Sequence, residues 1–154
     1  MTGFVFRSSL DAGHLDALER LVFFNSRQRA TETGITRGIE LYGSPSIVSG
    51  PGGVRVVVSR RDDVQCLFAL AQGRSEPALA GMVIYLRTSA EEILVLHIAV
   101  ADRFSRSPQA GLQVLLALVR AVRDVAHRLR GVERLRMLYL DQRQFQVAIK
   151  GRAA

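Results

Sequence analysis

One stretch of the sequence decides the fold: residues 93–129, ILVLHIAVADRFSRSPQAGLQVLLALVRAVRDVAHRL. It contains an apolar segment typical of a strand (Ile93–Val100), a short polar loop and a long amphipathic helix. The loop carries arginine, serine and glycine, and the helix after it offers unpaired backbone N–H groups and the positive end of its dipole. The pattern therefore predicts an anion site, and the phosphates of a nucleotide-like cofactor are the first ligands to consider.

The long helix has a defined start and an apolar face. Ser107 is a suitable N-cap, and Pro108 at the first helical position loses little by lacking an N–H group. Gly131 is expected at C′, just beyond the helix. His127 falls among arginines on the polar side, so we expect it to face solvent. The residues expected to pack on a sheet recur at three- and four-residue spacing: Leu112, Leu115, Leu116, Val119, Val122, Ala126 and Leu129.

Apolar periodicity and turn residues divide the rest of the chain into further elements. Strands are predicted at 4–7, 54–59, 64–71, 78–87, 93–100 and 135–140. Helices are predicted from Ser9 or Asp11 to about Arg27 and over 31–42, with a loop at 43–53, and residues 141–150 suit either a short helix or a final strand. The consecutive strands favour an α+β fold with mixed pairing. The step from 93–100 through the long helix to 135–140 predicts a parallel, right-handed βαβ crossover.

Length and composition bound the function. The 154 residues suit a single domain spanning 1–154. Cys66 is the only cysteine, which excludes an internal disulfide and a cysteine-rich metal site, so no metal is expected. No apolar run is long enough to span a bilayer, and the N-terminus lacks the pattern of an export signal. We therefore expect a cytoplasmic protein with no membrane partner.

The net charge of +7 raises the question of nucleic-acid binding. Lys150 is the only lysine, and the arginines are scattered along the chain, without a basic tail or a recognisable nucleic-acid-binding motif. Sequence-specific nucleic-acid binding is therefore not favoured, and it stays as a hypothesis that rests on charge alone.

Most of the chain resembles the GNAT superfamily of acyl-CoA-dependent N-acetyltransferases. Residues 6–21 are similar to the family's first strand and first helix, 80–87 to its third strand and 94–100 to its fourth. The family's phosphate-binding loop follows that fourth strand. Here Arg106 matches its first position, Gln109 replaces its middle glycine and Gly111 matches its last. The resemblance implies one GNAT-like domain with a mixed sheet of about five to seven strands and a long helix after the fourth strand.

The resemblance also implies acetyl-CoA as the cosubstrate. In the family, amides of this loop hold the pyrophosphate, and backbone groups of the fourth strand bind the pantetheine arm. Arginine suits a phosphate anchor, because guanidinium matches phosphate oxygens in a bidentate way. The expected cofactor-binding residues are Ile98, Val100, Arg103, Arg106, Gln109 and Gly111.

Acetyl transfer to an amine needs a base for the substrate ammonium and a proton donor for the departing thiolate. The candidate bases are Glu91, Glu92 and His97, and the candidate acids are the phenols of Tyr85 and Tyr139. His97 alternates with its neighbours along the predicted strand, so we expect it to face away from Leu96 and Ile98. The expected catalytic residues are Glu92, His97 and Tyr139.

The favoured hypothesis is an acetyl-CoA-dependent N-acetyltransferase whose acceptor is an unidentified amine on a small molecule or a protein. The alternative is a catalytically degenerate GNAT-like module that binds acyl-CoA or a protein partner. Pro108 removes an N–H from the loop, and Gln109 adds a Cβ where glycine allows close approach. Ala148 stands near the position of the family's thiolate-protonating tyrosine. A homodimer would cover a sheet edge left without two closing strands, and it is kept as a hypothesis.

Overall fold

The computed structural model describes residues 3–24, 32–73, 75–140 and 143–148. The helices are α1 (Leu15–Phe23), α2 (Glu32–Tyr42) and α3 (Pro108–Arg128). The strands are β1 (Phe4–Arg7), β2 (Pro45–Gly50), β3 (Gly53–Val58), β4 (Gln65–Ala71), β5 (Ala78–Arg87), β6 (Glu92–Val100), β7 (Arg134–Leu140) and β8 (Arg143–Ala148). No helix in these ranges is both long enough and apolar enough to cross a membrane.

The strands form a six-stranded sheet in the order β1-β4-β5-β6-β7-β8, and β2 and β3 form a separate hairpin. Only the β6–β7 pair of the six-stranded sheet is parallel, and the other neighbours are antiparallel. The predicted α+β class, the mixed pairing and the parallel crossover through α3 are confirmed. The handedness of that crossover stays a prediction. The backbone of 143–148 forms a strand, which settles the ambiguity left for that segment.

Helices cover both faces of the sheet, because successive strand side chains point to opposite sides. One face packs against α1 and the β2–β3 hairpin, with Leu18, Met82 and Leu94 in its core. The other face packs against α3, with Val83, Leu118 and Leu135 in its core. Because the central strands are covered by apolar layers on both faces, their sequences are almost continuously hydrophobic.

The capping of α3 is as predicted, but its buried face is only partly so. Ser107 Oγ accepts a hydrogen bond from the Ala110 N–H at 3.2 Å, and Pro108 begins the helix. Leu112 and Leu116, expected in the core, are 50% and 44% exposed. Val122 and Ala126 are buried as expected, whereas Gly111, Val114 and Leu118 are buried although they were not in the predicted stripe. In the first half of the helix the buried face is therefore rotated away from Leu112 and Leu116, and Gly111 and Val114 allow close packing on the sheet.

Three boundaries also differ from the prediction. The segment 43–53 is not a loop, because β2 pairs with β3 throughout and its proline stands at the first strand position, where a missing N–H is tolerated. Helix α1 begins at Leu15 rather than near Asp11, after a 3₁₀ turn at Ala12–His14. The predicted end of this helix at Arg27 lies outside the described residues. Gly131 has the expected positive φ of 87° but follows the C-cap, Leu129, by two residues rather than one.

Gly81 on β5 brings α3 close to the sheet. A Cβ built there would lie 2.7 Å from the Ala99 carbonyl oxygen, 3.0 Å from Val114 Cγ1 and 3.1 Å from Leu118 Cδ1. The first of these atoms belongs to the backbone of β6 and cannot move without disturbing the ladder. Glycine is therefore required at this position for the helix to sit at its observed depth.

We expect Gly81→Ala to lower the free energy of unfolding by about 1–3 kcal/mol, because the added methyl overpacks the interface between α3 and the sheet. Urea denaturation followed by circular dichroism measures the change. Gly50→Ala on β2 is the matched control, since a Cβ there meets no atom within 4 Å. Equal stability of the two variants would contradict the close packing at Gly81.

Candidate functional site

Strand β6 contains a β-bulge at Leu96. The antiparallel register with β5 pairs Ile84 with His97 and then Tyr85 with Val95, so Leu96 is an extra residue on β6. A bulge breaks the strict alternation of side chains, and here Leu96 and His97 both line a cavity on the α2 side of the sheet. The expectation that His97 faces away from Leu96 is therefore wrong, because it assumed an uninterrupted strand.

The parallel ladder between β6 and β7 ends at the same point. Its described pairs run from Glu92 with Arg134 to Val95 with Met137, and the rest of β6 lies beyond this ladder. Ile98 and Val100 are in that second half, where they pack partly against the α3-side core. Among the described residues, this half of β6 forms no pairs with β7.

The N-terminus of α3 lies beyond the end of β6, but much of its donor capacity is used. Pro108 has no N–H, the Ala110 N–H bonds to Ser107 Oγ, and the Gly111 N–H bonds to the Ser107 carbonyl oxygen at 3.1 Å. Gln109 is exposed. Within the described chain, its backbone N–H is the donor of this turn that remains for an anion. Gly111 is buried in the helix packing, so it supports the turn rather than contacting solvent.

The two candidate phosphate anchors face different surroundings. Arg106 is exposed immediately before the N-cap of α3, where a guanidinium can reach an anion at the helix N-terminus. Arg103 lies in a 3₁₀ turn with its guanidinium carbon 5.5 Å from the centroid of the Phe104 ring. It lines a cavity of about 410 Å³ between this turn and α1, together with His14 and Arg20. Of the two, Arg106 is the one placed beside the helix N-terminus.

Glu92 lies at the far end of β6 from this site. Its Oε1 accepts hydrogen bonds from Thr88 Oγ1 at 2.8 Å and Arg136 Nε at 3.2 Å, and Arg134 lies 3.9 Å from Oε2. At roughly 3.3 Å per residue, about 17 Å of strand separate it from His97. The structure therefore does not bring these two predicted catalytic residues together. Glu92 instead links β6 to β7 through its contacts with the arginines of β7.

The imidazole of His97 is largely buried under α2. Burial lowers the pKa of His97 to about 4, because the charged form would lose its hydration. The ring is therefore neutral near pH 7, and it is a weak base for an ammonium group. It remains able to donate or accept a hydrogen bond at the cavity wall.

The two candidate phenols belong to different strands. Tyr85 lies on β5 in the α3-side core, and burial raises the pKa of its hydroxyl. Tyr139 lies on β7, and its side chain is outside the described part of the structure. Its role as an acid stays a prediction.

The cavity beside the bulge is the feature that sequence reasoning missed. It needs α2, β5 and β6 to meet, and neither the extra residue at Leu96 nor the contribution of Tyr42 has a local signal in the sequence. No group of three histidine, cysteine, aspartate or glutamate side chains among the described residues could hold a metal ion.

The chain matches no protein-family model and no curated protein sequence.

Replacing Glu92 with glutamine should lower the free energy of unfolding by about 1 kcal/mol, since it removes the charge from a partly buried, arginine-bonded carboxylate. Glu91→Gln is the matched control, because its carboxylate is 61% exposed and 3.8 Å from Arg134. Chemical denaturation of both variants tests this. If Glu92→Gln lowers the free energy of unfolding no more than Glu91→Gln does, the stabilising contact between Glu92 and β7 is contradicted.

The depressed pKa of His97 predicts a specific acid sensitivity. Between about pH 6.5 and pH 4 the unfolded chain binds a proton at this residue and the folded chain does not, so stability falls as pH falls through that window. The contribution lost is about 3 kcal/mol by linkage. We expect His97→Gln to show a correspondingly shallower decline in stability over this range. Parallel curves for the variant and the parent protein would be inconsistent with a buried, neutral imidazole.

Proposed function

We propose that this protein is an acetyl-CoA-dependent N-acetyltransferase that acts on an amine. The observation that carries the proposal is the coincidence at Leu96 of the β6 bulge and the end of the β6–β7 ladder, with α3 beginning beyond the same end of β6. This arrangement places the half of β6 beyond the described β7 pairs, which an extended pantetheine arm would follow, next to a helix N-terminus for phosphates. It also agrees with the GNAT-like order of elements that the sequence suggests.

In this proposal the phosphates of acetyl-CoA lie near Arg106 and the Gln109 N–H, and the pantetheine arm follows β6 past Val100 and Ile98. The thioester then reaches the bulge, where backbone N–H groups can stabilise the oxyanion of a tetrahedral intermediate. The amine nitrogen bonds to the carbonyl carbon and the carbon–sulfur bond breaks. Tyr139 is the proposed proton donor to the departing thiolate, and the proton lost from nitrogen restores its phenol.

Transfer of acetyl to an amine requires that the amine nitrogen lose a proton. Neither Glu92, which is held by arginines, nor His97, whose pKa is about 4, is an effective base at the bulge. An acceptor that is already neutral, or loss of its proton through water, suits these residues better than direct abstraction.

A second candidate function is supported by the same observation. Without an effective base, the fold would serve as a non-catalytic module that binds acyl-CoA. Pro108 and the capped Ala110 N–H leave fewer amides for the pyrophosphate, which favours weaker binding in either case.

Calorimetric titration with acetyl-CoA should show a dissociation constant near micromolar, about −8 kcal/mol, that ATP does not reproduce. Arg106→Glu should weaken this binding about tenfold or more, because it places a negative charge beside the phosphates. Arg120→Glu makes the same charge change on an exposed part of α3 about 18 Å further along the helix and is the matched control. Equal affinities for the two variants would contradict the phosphate site.

Release of free thiol from acetyl-CoA in the presence of amines separates the two functions. Burial raises the pKa of Cys66 to about 11, so this residue should contribute little background to a thiol reagent. Amine-dependent thiol release indicates transfer. Micromolar binding without release across an amine panel would leave the non-catalytic module as the function.

A further inference from the structure

A cavity of about 70 Å³ lies between α2 and the bulged part of β6. We term it the bulge cavity, and its principal lining residues are Ile39, Tyr42, Met82, Ile84, Leu96 and His97. An apolar cavity of about 150 Å³ holds one benzene ring, so this space suits only a few non-hydrogen atoms.

The chemistry of the wall restricts what can enter. No carboxylate, arginine or lysine lines the bulge cavity within the described part of the chain. Its polar side chains are those of His97 and Tyr42, and the His97 imidazole is neutral near pH 7. An ammonium or carboxylate group would lose its hydration here without an opposing charge. The described wall therefore favours an uncharged occupant.

The cavity has a fixed floor and an accessible rim. Met82 and Ile84 on β5 are 0% and 3% exposed, whereas Ile39 on α2 is 37% exposed. Two neighbouring residues of one strand, Leu96 and His97, complete the wall because of the bulge. The same bulge marks the end of the β6–β7 ladder, so a ligand lying along that edge of β6 would have its end beside the cavity.

We propose that the bulge cavity binds a short, uncharged aliphatic group of about two to three carbon atoms. The identity of the molecule that carries the group rests on the proposed function: it is either the acyl chain of the thioester or the apolar end of the acceptor. In both cases charged nitrogen or phosphate stays outside the cavity. Size selection then follows from the fixed floor.

Xenon under pressure tests the cavity independently of coenzyme A, because xenon enters small apolar cavities without needing polar partners. In a protein with labelled methionine methyl groups, we expect the Met82 signal to shift in a saturable way. Met137, which is buried on the opposite face of the sheet, should not shift. Absence of a Met82 response would overturn the proposal.

A matched pair of variants tests the rim. Ile39→Phe places a ring at the mouth of the cavity and should abolish the Met82 response. Leu41→Phe makes a similar change on the same helix at a residue that is 53% exposed and does not line the cavity, so the response should remain. An unchanged Met137 signal reports that each variant is folded. Retention of the full response in Ile39→Phe would overturn the assignment.

Two ligand series identify the carrier of the aliphatic group. Burial of each additional methylene should tighten binding about fourfold until the cavity is full and should weaken it beyond that length. An optimum in a series from acetyl-CoA to hexanoyl-CoA that Ile39→Phe removes assigns the cavity to the acyl chain. The same optimum in a series from methylamine to hexylamine assigns it to the acceptor. A flat profile in both series would overturn the ligand-binding role.

The two proposals fail in different ways. If the proposed function fails, calorimetry shows no binding of acetyl-CoA, while Met82 still responds to xenon and to the alkylamines. If the cavity proposal fails, acetyl-CoA binds with an Arg106-dependent affinity, while neither series shows a chain-length optimum.

Discussion

The single extra residue at Leu96 is the constraint on which the candidate site depends. An uninterrupted β6 would alternate its side chains between the two apolar layers along its whole length. The bulge instead turns Leu96 and His97 to the same side, and the parallel ladder with β7 ends at Val95. The bulge thereby forms one wall of the cavity, at the boundary between the half of β6 that pairs with β7 and the half beyond those pairs.

The two ends of β6 have different parts in the structure. At its start, Glu92 is bonded by Thr88 and by arginines of β7, which stabilises the parallel pairing where the ladder is complete. At its end, the chain passes through the Asp102–Phe104 turn to the capped N-terminus of α3. Charge pairing therefore concentrates where strands must be held together, and the features suited to a ligand concentrate beyond the bulge. This separation explains why Glu92, which the sequence suggested as a base, lies far from the site.

Much of the architecture was predictable because it follows from local patterns. The Ser107–Pro108 start of α3, the long apolar strands and the parallel crossover are each encoded by neighbouring residues. The buried face in the first half of α3 was not predictable in this way. It depends on Gly81 of a distant strand, which admits Val114 and Leu118 closely and leaves Leu112 and Leu116 outward. The β2 strand was missed for a related reason, because its glycine, serine and proline residues are stabilised in a strand by pairing with β3.

The residues of the candidate site also divide into those that the local sequence predicts and those that depend on distant strands. Arg106 and Gln109 could be placed at a helix N-terminus from sequence alone, since their position relative to Ser107 is local. The orientation of His97 depends on a bulge, and a bulge is decided by the register between two strands. The distance of Glu92 from the site depends on the length of the strand that follows it.

The most direct test of the account is the backbone amide spectrum of the protein during titration with acetyl-CoA. The account predicts that the perturbed amides cluster at residues 96–100 and 106–111, on the part of β6 beyond the ladder and at the start of α3. Perturbations confined to the Glu92 end of β6 or to the outer face of α3, or no perturbation at millimolar ligand, would contradict it.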